Sequence, residues 1–338
     1  MTGLVIGKFY PPHGGHKHLI STARSQVDRL FVVLCAKPNQ LLSGDRRASW
    51  LRETHPDCEV LLVDDTLPDD SQLWADFCLQ VLPVRPDVVF SSEAYGEPFA
   101  KCLESRHVLV DLERESFPVS GTSVRHDPLA NWSFLEPCVR EHLAMRIVLI
   151  GAESTGKTTL AERLATHLDT NWVAEYGREY CENKFSGLDP VLGDPDSLPP
   201  WTSDEFVRIA ETQTTLEARA ARSSNGVLLC DTNAVATTVW HKRYVGTDSE
   251  PLRTIKESTI ADLYLVTAPD VPFVQDGTRD GENLRTQMHL DFLRAVEESK
   301  VPYVVLTGTY EDRFRRAVEA TRESAARPER YNWEARGK

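Results

Sequence analysis

A glycine-rich string in the middle of the chain constrains its fold more than any other feature: Gly151-Ala152-Glu153-Ser154-Thr155-Gly156-Lys157-Thr158. It follows an apolar run at 146–150 and opens a helix-like run at 157–168. The spacing matches the P-loop pattern, in which backbone N–H groups surround phosphates, the lysine reaches the β- and γ-phosphates and the last hydroxyl binds Mg²⁺. The string therefore predicts a strand, a loop and a helix around ATP, held by Gly151, Glu153, Ser154, Thr155, Gly156, Lys157, Thr158 and Thr159.

A second strand–turn–helix pattern lies at the start of the chain, where the apolar run 4–6 leads into Gly7-Lys8-Phe9-Tyr10-Pro11-Pro12-His13-Gly14-Gly15-His16. His13 and His16 lie three residues apart at a predicted helix N-terminus, so both can face one phosphate. Their imidazoles can donate hydrogen bonds to a phosphate whose charge grows in the transition state, without a covalent intermediate. The alternative is a turn with two surface histidines.

The string 119–125 offers a second anion contact in the same half of the chain. Ser120 can cap a short helix whose first N–H groups face an anion. Arg125 can hold a phosphate with its guanidinium fork. Helix starts of this kind are common, so the string alone is weak evidence for an anion site. Its occurrence together with His13 and His16 makes that evidence strong.

Short apolar runs alternate with helical patterns in both halves, which predicts an α/β protein with two mainly parallel sheets. With 338 residues, two domains are expected, over 1–144 and 145–338. In the first half we predict strands at 4–6, 30–35, 60–63, 87–90 and 107–110 and helices at 16–24, 45–54, 71–82, 93–102 and 132–144. In the second half we predict strands at 146–150, 172–174, 226–230, 263–266 and 303–306, and a long helix from Thr202 to near Arg222.

Charge and cysteine content argue against several classes of protein. The net charge of −13 disfavours broad nucleic-acid binding, which needs a basic face, but not nucleotides. The seven cysteines are scattered and lack metal-ligand spacing, so we interpret them as reduced thiols. No apolar run approaches a membrane span and no signal peptide precedes the first strand, so we expect a cytoplasmic enzyme without membrane insertion.

The apolar run 228–230 ends in Asp231, the expected form of a carboxylate that holds Mg²⁺ together with Thr158. Asp231 could instead activate an acceptor hydroxyl as a general base, and Glu175 competes with it for that role. The sequence does not separate these roles.

The string 175–180 follows a predicted strand, a position that in small-molecule P-loop kinases lies near the acceptor hydroxyl. Tyr176 or Tyr180 could stack on a flat ring, and Arg178 or a carboxylate could grip a ribose. The alternative is an ordinary helix start with charged residues.

A further string, Asp276-Gly277-Thr278-Arg279-Asp280-Gly281, combines glycine hinges with a cation. We interpret it as a lid that brings Arg279, and with it Arg285, over the ATP phosphates. A solvated charged loop is the alternative.

The N-terminal strings resemble the HxGH signature of the nucleotidyltransferase superfamily and its ISxTxxR partner, with Val119 in place of isoleucine. The resemblance implies a Rossmann-like domain that transfers AMP from ATP to a phosphate acceptor. It implies ATP contacts from Gly7, Lys8, Phe9, His13, His16, Ser120, Thr122 and Arg125. The string 91–96 resembles the strand end that nicotinamide-mononucleotide adenylyltransferases place near the nucleotide, and a plain strand-to-helix turn is the alternative. Tyr95, Trp74 and Trp132 are candidates to stack on nicotinamide, and each could equally belong to the core.

The C-terminal strings resemble the ribosylnicotinamide kinase half of bifunctional NadR-type proteins: the P-loop, the segment 175–179, the threonines at 232, 237 and 238, and the Asp276, Gly277 and Arg279 lid. Regulatory members carry an N-terminal helix-turn-helix domain. Here the first strand begins at Thr2, so a repressor role is not expected. Asn233 stands where some relatives carry an acid, which argues against metal binding or base catalysis at that position.

The resemblance implies an NAD salvage enzyme that uses Mg²⁺ and ATP at both sites. The C-terminal half would phosphorylate nicotinamide riboside, and the N-terminal half would adenylylate the resulting mononucleotide to give NAD and pyrophosphate. The alternatives are a fused enzyme for another acceptor, such as a pantetheine or sugar derivative, and an NAD-sensing regulator. The expected partners are small molecules, and a homo-oligomer is compatible with the sequence.

Overall fold

The computed structural model describes residues 1–186, 199–273 and 284–326. These residues form two compact units, Met1–Arg140 and the residues from Glu141 onward. The division falls inside the segment 132–144, which we expected to close the first domain. The α/β prediction is confirmed, since each unit contains a five-stranded parallel sheet with helices between successive strands.

The first unit is built on a sheet with the strand order β3-β2-β1-β4-β5. The strands are β1 Thr2–Gly7, β2 Arg29–Ala36, β3 Glu59–Asp64, β4 Val88–Ser91 and β5 Arg106–Leu109. The helices are α1 Gly14–Arg24, α2 Gly44–Thr54, α3 Ser71–Val81, α4 Gly96–Cys102 and α5 Gly121–His126. Successive residues of β1 enter different apolar clusters: Leu4 packs with Ala75 and Phe99, and Val5 with Ile20 and Leu51. Both faces of the sheet are therefore covered, as period-2 alternation in a buried strand requires.

The predicted single helix over 132–144 is wrong. The segment forms a short 3-10 turn, Trp132–Phe134, and then a separate helix α6, Pro137–Leu143. Leu135 between them is extended, with ψ near 137°. Pro137 favours a helix start at this point, because a proline is tolerated in the first turn of a helix and disfavours the α conformation in its predecessor, Glu136.

The second unit is built on a sheet with the order β10-β9-β6-β8-β7. The strands are β6 Met145–Gly151, β7 Asn171–Val173, β8 Val227–Asp231, β9 Leu263–Thr267 and β10 Tyr303–Leu306. The helices are α7 Lys157–His167, α8 Tyr176–Lys184, α9 Ser203–Ala221, α10 Ala234–Tyr244, α11 Glu250–Ser258, α12 Arg285–Ser299 and α13 Tyr310–Ala325. Helix α9 begins as predicted, with a capping box between Thr202 and Glu205.

All seven cysteines are free thiols. Among the helices of the described residues, none combines the length and the apolar character that a membrane crossing would need.

Gly96 provides a test of the packing in the first unit. A Cβ added at Gly96 would overlap both Ser91 Oγ and His107 Nε2, which are hydrogen-bonded to each other at 2.8 Å. We expect Gly96→Ala to lower the free energy of unfolding by about 2 kcal/mol, because overpacking forces buried groups to shift. Urea denaturation measures this loss. The exposed neighbour Glu97→Ala is the control and should change stability by less than about 0.5 kcal/mol; equal stabilities of the two variants would contradict the packing.

Candidate active sites

The loop after β1 brings two histidines together at the start of α1. The His13 and His16 rings lie 3.8 Å apart between centroids, and the Phe9 ring packs edge-on against His16 at 5.0 Å. His13 is 5% exposed. Among the residues that the structure describes, the Nδ1 atoms of both rings are buried without a hydrogen-bond partner. Buried polar atoms normally have partners, so this pair of open nitrogens points to a ligand at the helix N-terminus.

The two imidazoles are neutral in the folded protein. Burial, reinforced by the charge of Arg114, lowers the pKa of His13 from 6.5 to about 4. Burial also lowers the pKa of His16, and the neighbouring His13 adds to this effect. A neutral imidazole keeps one N–H donor, and a polyphosphate beside the rings would favour their protonation.

Two arginines hold the backbone of this loop. The fully buried Arg47 donates from Nη1 to the Lys8 carbonyl at 2.5 Å, and its guanidinium lies 5.0 Å from the centre of the Tyr10 ring. Arg125 donates from Nη1 to the Tyr10 carbonyl at 2.7 Å and from Nη2 to Thr122 Oγ1 at 3.1 Å. Arg125 therefore lies beside the loop, as expected, with its fork on protein oxygens. The contribution of Arg47 was missed, because no motif marks a buried arginine in α2.

The remaining predicted residues of the first unit lie in varied settings. Ser120 caps α5, since its Oγ accepts the Ser123 N–H at 2.9 Å. Lys8 forms an ion pair with Asp65 at 3.3 Å. Gly7 ends β1. Tyr95 donates its hydroxyl to the Ile6 carbonyl near the end of β1 at 2.9 Å, and its ring is 40% exposed.

The other two aromatic candidates of this unit are less available for stacking. Trp74 donates its indole N–H to the Pro68 carbonyl at 3.1 Å and packs against Phe77. Trp132 is 6% exposed. Of the three candidates, Tyr95 is the one with both an exposed ring and a hydrogen bond to β1.

In the second unit, two side chains of the P-loop donate hydrogen bonds to one carbonyl group of the same loop. Lys157 Nζ donates to the Ala152 carbonyl at 2.9 Å, and Thr155 Oγ1 donates to the same carbonyl at 2.7 Å. Ser154 and Gly156 have φ of 56° and 83°. Left-handed residues of this kind turn successive N–H groups toward one point and form an anion-binding concavity.

Asp231 and Thr158 meet at the edge of this loop. Thr158 Oγ1 donates to Asp231 Oδ2 at 2.5 Å. Asp231 is 1% exposed, and within 1–186, 199–273 and 284–326 its Oδ1 is buried without a hydrogen-bond partner. Burial raises the pKa of Asp231, and the Lys157 ammonium opposes this effect. A hydroxyl and a carboxylate with an open oxygen are hard ligands that fit Mg²⁺.

Glu175 lies at the N-terminal end of α8 and faces the same site. Burial raises the pKa of Glu175 to about 7, although the charge of Lys157 works against the shift. A carboxylate with a pKa near neutrality is suited to accept a proton during catalysis.

A cavity of about 390 Å³ joins the P-loop to a cluster of aromatic side chains. Its polar lining includes Glu153, Ser154, Thr155, Gly156, Lys157, Thr158, Thr159, Glu175, Arg178, Gln213, Thr232 and Thr237. Its lining also contains four aromatic side chains, Trp201, Phe206, Trp240 and Tyr244, which we call the aromatic wall. The volume is in the range of small-molecule sites.

The aromatic wall was missed in the sequence, where Tyr176 and Tyr180 were expected to stack on the ligand. These two tyrosines lie one helical turn apart and pack toward Phe206 and Trp201 in the cluster beside α9. Gly177, Arg178 and Cys181 face the cavity instead. The helical spacing of Thr237, Trp240 and Tyr244 is the signal that could have indicated the wall, because residues three and four apart share a face.

Asn233 and Thr238 lie in helix α10 or at its N-cap and do not line the cavity. Asn233 is fully buried, caps α10 through Val235 N–H at 3.0 Å and donates to the Tyr264 hydroxyl at 3.0 Å, which explains its role without a metal. Thr238 donates to the Val235 carbonyl at 2.7 Å. The proposed lid residues Asp276, Gly277 and Arg279 lie outside the described residues.

Family comparisons agree with the division of the chain. Residues 4–127 match the model of the cytidylyltransferase-like family, and residues 146–313 match the model of the AAA domain family. A curated relative from Escherichia coli K12, the trifunctional NAD biosynthesis/regulator protein NadR, is 28% identical over 348 aligned residues, which cover 95% of this chain and 82% of the relative. The protein of the same name from Salmonella typhimurium LT2 is 27% identical over the same shares.

Solved structures show the same fold. A NadR protein in complex with NR matches with a TM-score of 0.77 and 24% identity, over 96% of both chains. A NadR protein in complex with NAD and AMP-PNP matches with a TM-score of 0.74 and 23% identity, again over 96% of both chains.

The neutral state of His13 leads to a pH prediction. We expect its ring signals in NMR to titrate with a midpoint near 4 instead of 6.5. The folded state disfavours the protonated ring, so this contribution to stability is complete above pH 6.5 and is lost as the pH falls toward 4. His13→Gln identifies the signal by its disappearance. A midpoint near 6.5 in the wild-type protein would show that the ring is not buried as described.

Proposed function

Because this chain belongs to the NadR family, we propose that it makes NAD in two steps, each catalysed by one unit. The second unit transfers the γ-phosphoryl group of ATP to the 5′-hydroxyl of nicotinamide riboside. The first unit transfers AMP from a second ATP to the resulting mononucleotide and releases pyrophosphate. The observation that carries the proposal is the cavity of about 390 Å³, whose lining contains the P-loop, the carboxyl group of Glu175 and the aromatic wall.

The aromatic wall suits the nicotinamide ring of the substrate. Nicotinamide riboside carries a positive pyridinium charge, and aromatic faces attract cations by their quadrupole. Trp201 and Phe206 lie 5.1 Å apart between ring centres, and Trp240 and Tyr244 lie 6.1 Å apart in a nearly parallel arrangement. Flat surfaces of this size stabilise a flat ligand by burial of apolar area.

Different residues of the cavity take different roles in phosphorylation. Lys157 and the P-loop N–H groups stabilise the charge that develops on the transferred phosphoryl group. Glu175, with its pKa near 7, accepts the proton that the 5′-hydroxyl loses as its oxygen bonds to phosphorus and ADP leaves. Arg178, which also lines the cavity, offers donors for the ribose.

Thr158 and Asp231 would hold the Mg²⁺ that such a reaction uses. The Thr158 hydroxyl and the Asp231 carboxylate, which meet at the edge of the P-loop, would supply two oxygen ligands here. Mg²⁺ commonly takes its remaining ligands from water and from the phosphates of the nucleotide. Bound there, the ion neutralises phosphate charge. This assignment makes Asp231 a metal ligand and leaves the base role to Glu175.

In the first unit, His16 and His13 act on the triphosphate of the second ATP. Both are neutral donors at the N-terminus of α1, where the helix dipole favours negative charge. Their hydrogen bonds strengthen as charge grows on the α-phosphate under attack by the phosphate of the mononucleotide.

A direct assay tests the two-step proposal. The protein is incubated with nicotinamide riboside, ATP and Mg²⁺, and the products are separated by chromatography; mononucleotide should appear first, then NAD and pyrophosphate. Pantetheine and sugar acceptors test the alternative of another substrate. Ligand-induced thermal stabilisation by NAD without any turnover would favour a regulator and contradict the proposal.

Lys157→Ala separates the two steps. We expect it to abolish phosphorylation of nicotinamide riboside, because the phosphates lose their cation in the transition state. NAD synthesis from supplied mononucleotide should keep the wild-type rate, since that reaction belongs to the other unit. Loss of both activities in a folded variant would contradict the division of labour.

His16→Ala is the reciprocal change. Loss of one preorganised donor to the developing charge should lower kcat for NAD synthesis by roughly 10²–10³, with little change in the KM for ATP. Phosphorylation of nicotinamide riboside, measured in the same preparation, should be unaffected. A normal kcat with a raised KM would show that His16 contributes to ground-state binding alone.

A further inference from the structure

Two buried arginines hold consecutive carbonyl groups of the P-loop, although neither belongs to the loop or to its motif. We infer that Arg285 and Arg313 are positioning residues of the phosphorylation site, which fix the P-loop backbone in the conformation that binds phosphate. The inference rests on the proposed kinase function of the second unit.

Arg285 is the first residue of α12 and is 5% exposed. Its Nη2 donates to the Ser154 carbonyl at 3.2 Å, and its Nη1 donates to the Val271 carbonyl at 2.9 Å. We expected this arginine to cover the ATP phosphates with the lid. Its bonds to backbone oxygens place it in the support of the loop instead.

Arg313 lies in α13, is 2% exposed and joins three loops. Its Nη1 donates to the Thr155 carbonyl of the P-loop at 2.9 Å. Its Nη2 donates to the Ala268 carbonyl after β9 at 3.0 Å, and its Nε donates to the Gly308 carbonyl after β10 at 3.1 Å. An ion pair with Asp270 offsets its buried charge.

These bonds determine which way the loop's N–H groups point. In a planar trans peptide the carbonyl oxygen and the amide hydrogen lie on opposite sides. The Ser154 and Thr155 carbonyls point to the arginines, so the N–H groups of Thr155 and Gly156 point away from them. These N–H groups are the kind that a P-loop offers to phosphate.

The backbone at Ser154 explains why such support is needed. Its φ of 56° lies in the left-handed region, which is unfavourable for a residue with a Cβ. Strained residues persist when the surrounding structure over-determines them. Two charge-assisted hydrogen bonds to adjacent carbonyls provide this constraint.

Arg285→Met is the main test, because Arg313 also holds the loops after β9 and β10. We expect the kinase KM for ATP to rise and its kcat to fall, so that kcat/KM for ATP drops roughly tenfold to a hundredfold. The KM for nicotinamide riboside should stay constant. Arg313→Lys should show the same selective loss, because the compact ammonium of a lysine lacks the planar fork whose three nitrogens reach three separate carbonyls. Arg294→Met is the matched control, since it removes an exposed charge from the same helix α12 that pairs with Asp291.

The thermal unfolding transition of the second unit, followed by circular dichroism in the same preparations, reports its folded fraction, and adenylylation of supplied mononucleotide checks the first unit. A merely structural role would reduce the amount of active enzyme without changing the KM for ATP, and would overturn the inference. Wild-type KM and kcat in Arg285→Met and Arg313→Lys would overturn it as well. If the wild-type protein itself fails to phosphorylate nicotinamide riboside, the proposed function fails, and this outcome is distinct from the others.

Discussion

The parallel pairing of β6 with β8 is the constraint on which the phosphorylation site depends. In this register Leu149 lies opposite Asp231, and the Thr232 N–H continues the ladder to the Leu149 carbonyl at 2.9 Å. Parallel strands end at the same edge of the sheet, so the P-loop after β6 and the carboxylate at the end of β8 must meet there. The contact between Thr158 and Asp231 follows from this register. A slip by one residue would turn Asp231 to the opposite face of the sheet and remove it from the site.

Burial sets the proton affinity of the two carboxyl groups in this site. Burial raises the pKa of both Glu175 and Asp231, and the Lys157 ammonium opposes this effect at each carboxyl group. The two carboxyl groups nevertheless differ in setting: Asp231 accepts a hydrogen bond from Thr158, whereas Glu175 stands at the start of α8 beside the cavity. A difference of this kind separates a metal ligand from a base, because the hydrogen-bonded group is stabilised as an anion while the other retains affinity for a proton.

The parts that could be predicted from the sequence are those with local causes. Strand–loop–helix order, the Ser120 and Thr202 caps and the P-loop residues depend on neighbours within a few positions, and the structure contains them. The helix over 132–144 failed at a local rule that was not applied, the effect of Pro137 on its predecessor. The aromatic wall and the contacts of the buried Arg47, Arg285 and Arg313 could not be predicted from neighbouring residues. Their partners are distant in the chain, and an arginine in a helix gives no sign of whether it faces water or a backbone carbonyl.

The two units handle phosphate by different physical means. The second unit presents a lysine and a loop supported by two arginines, which stabilise charge on the terminal phosphates. The first unit presents two buried neutral imidazoles, whose charged forms are disfavoured until an anion arrives. An anion beside the rings favours their charged forms, and the negative charge that develops in the transition state strengthens this interaction further, which favours stabilisation of the transition state over the ground state. This difference fits the reactions proposed, since attack at the α-phosphate must build charge at an internal position of the triphosphate, whereas transfer of the terminal group spreads charge onto oxygens that a cation can reach.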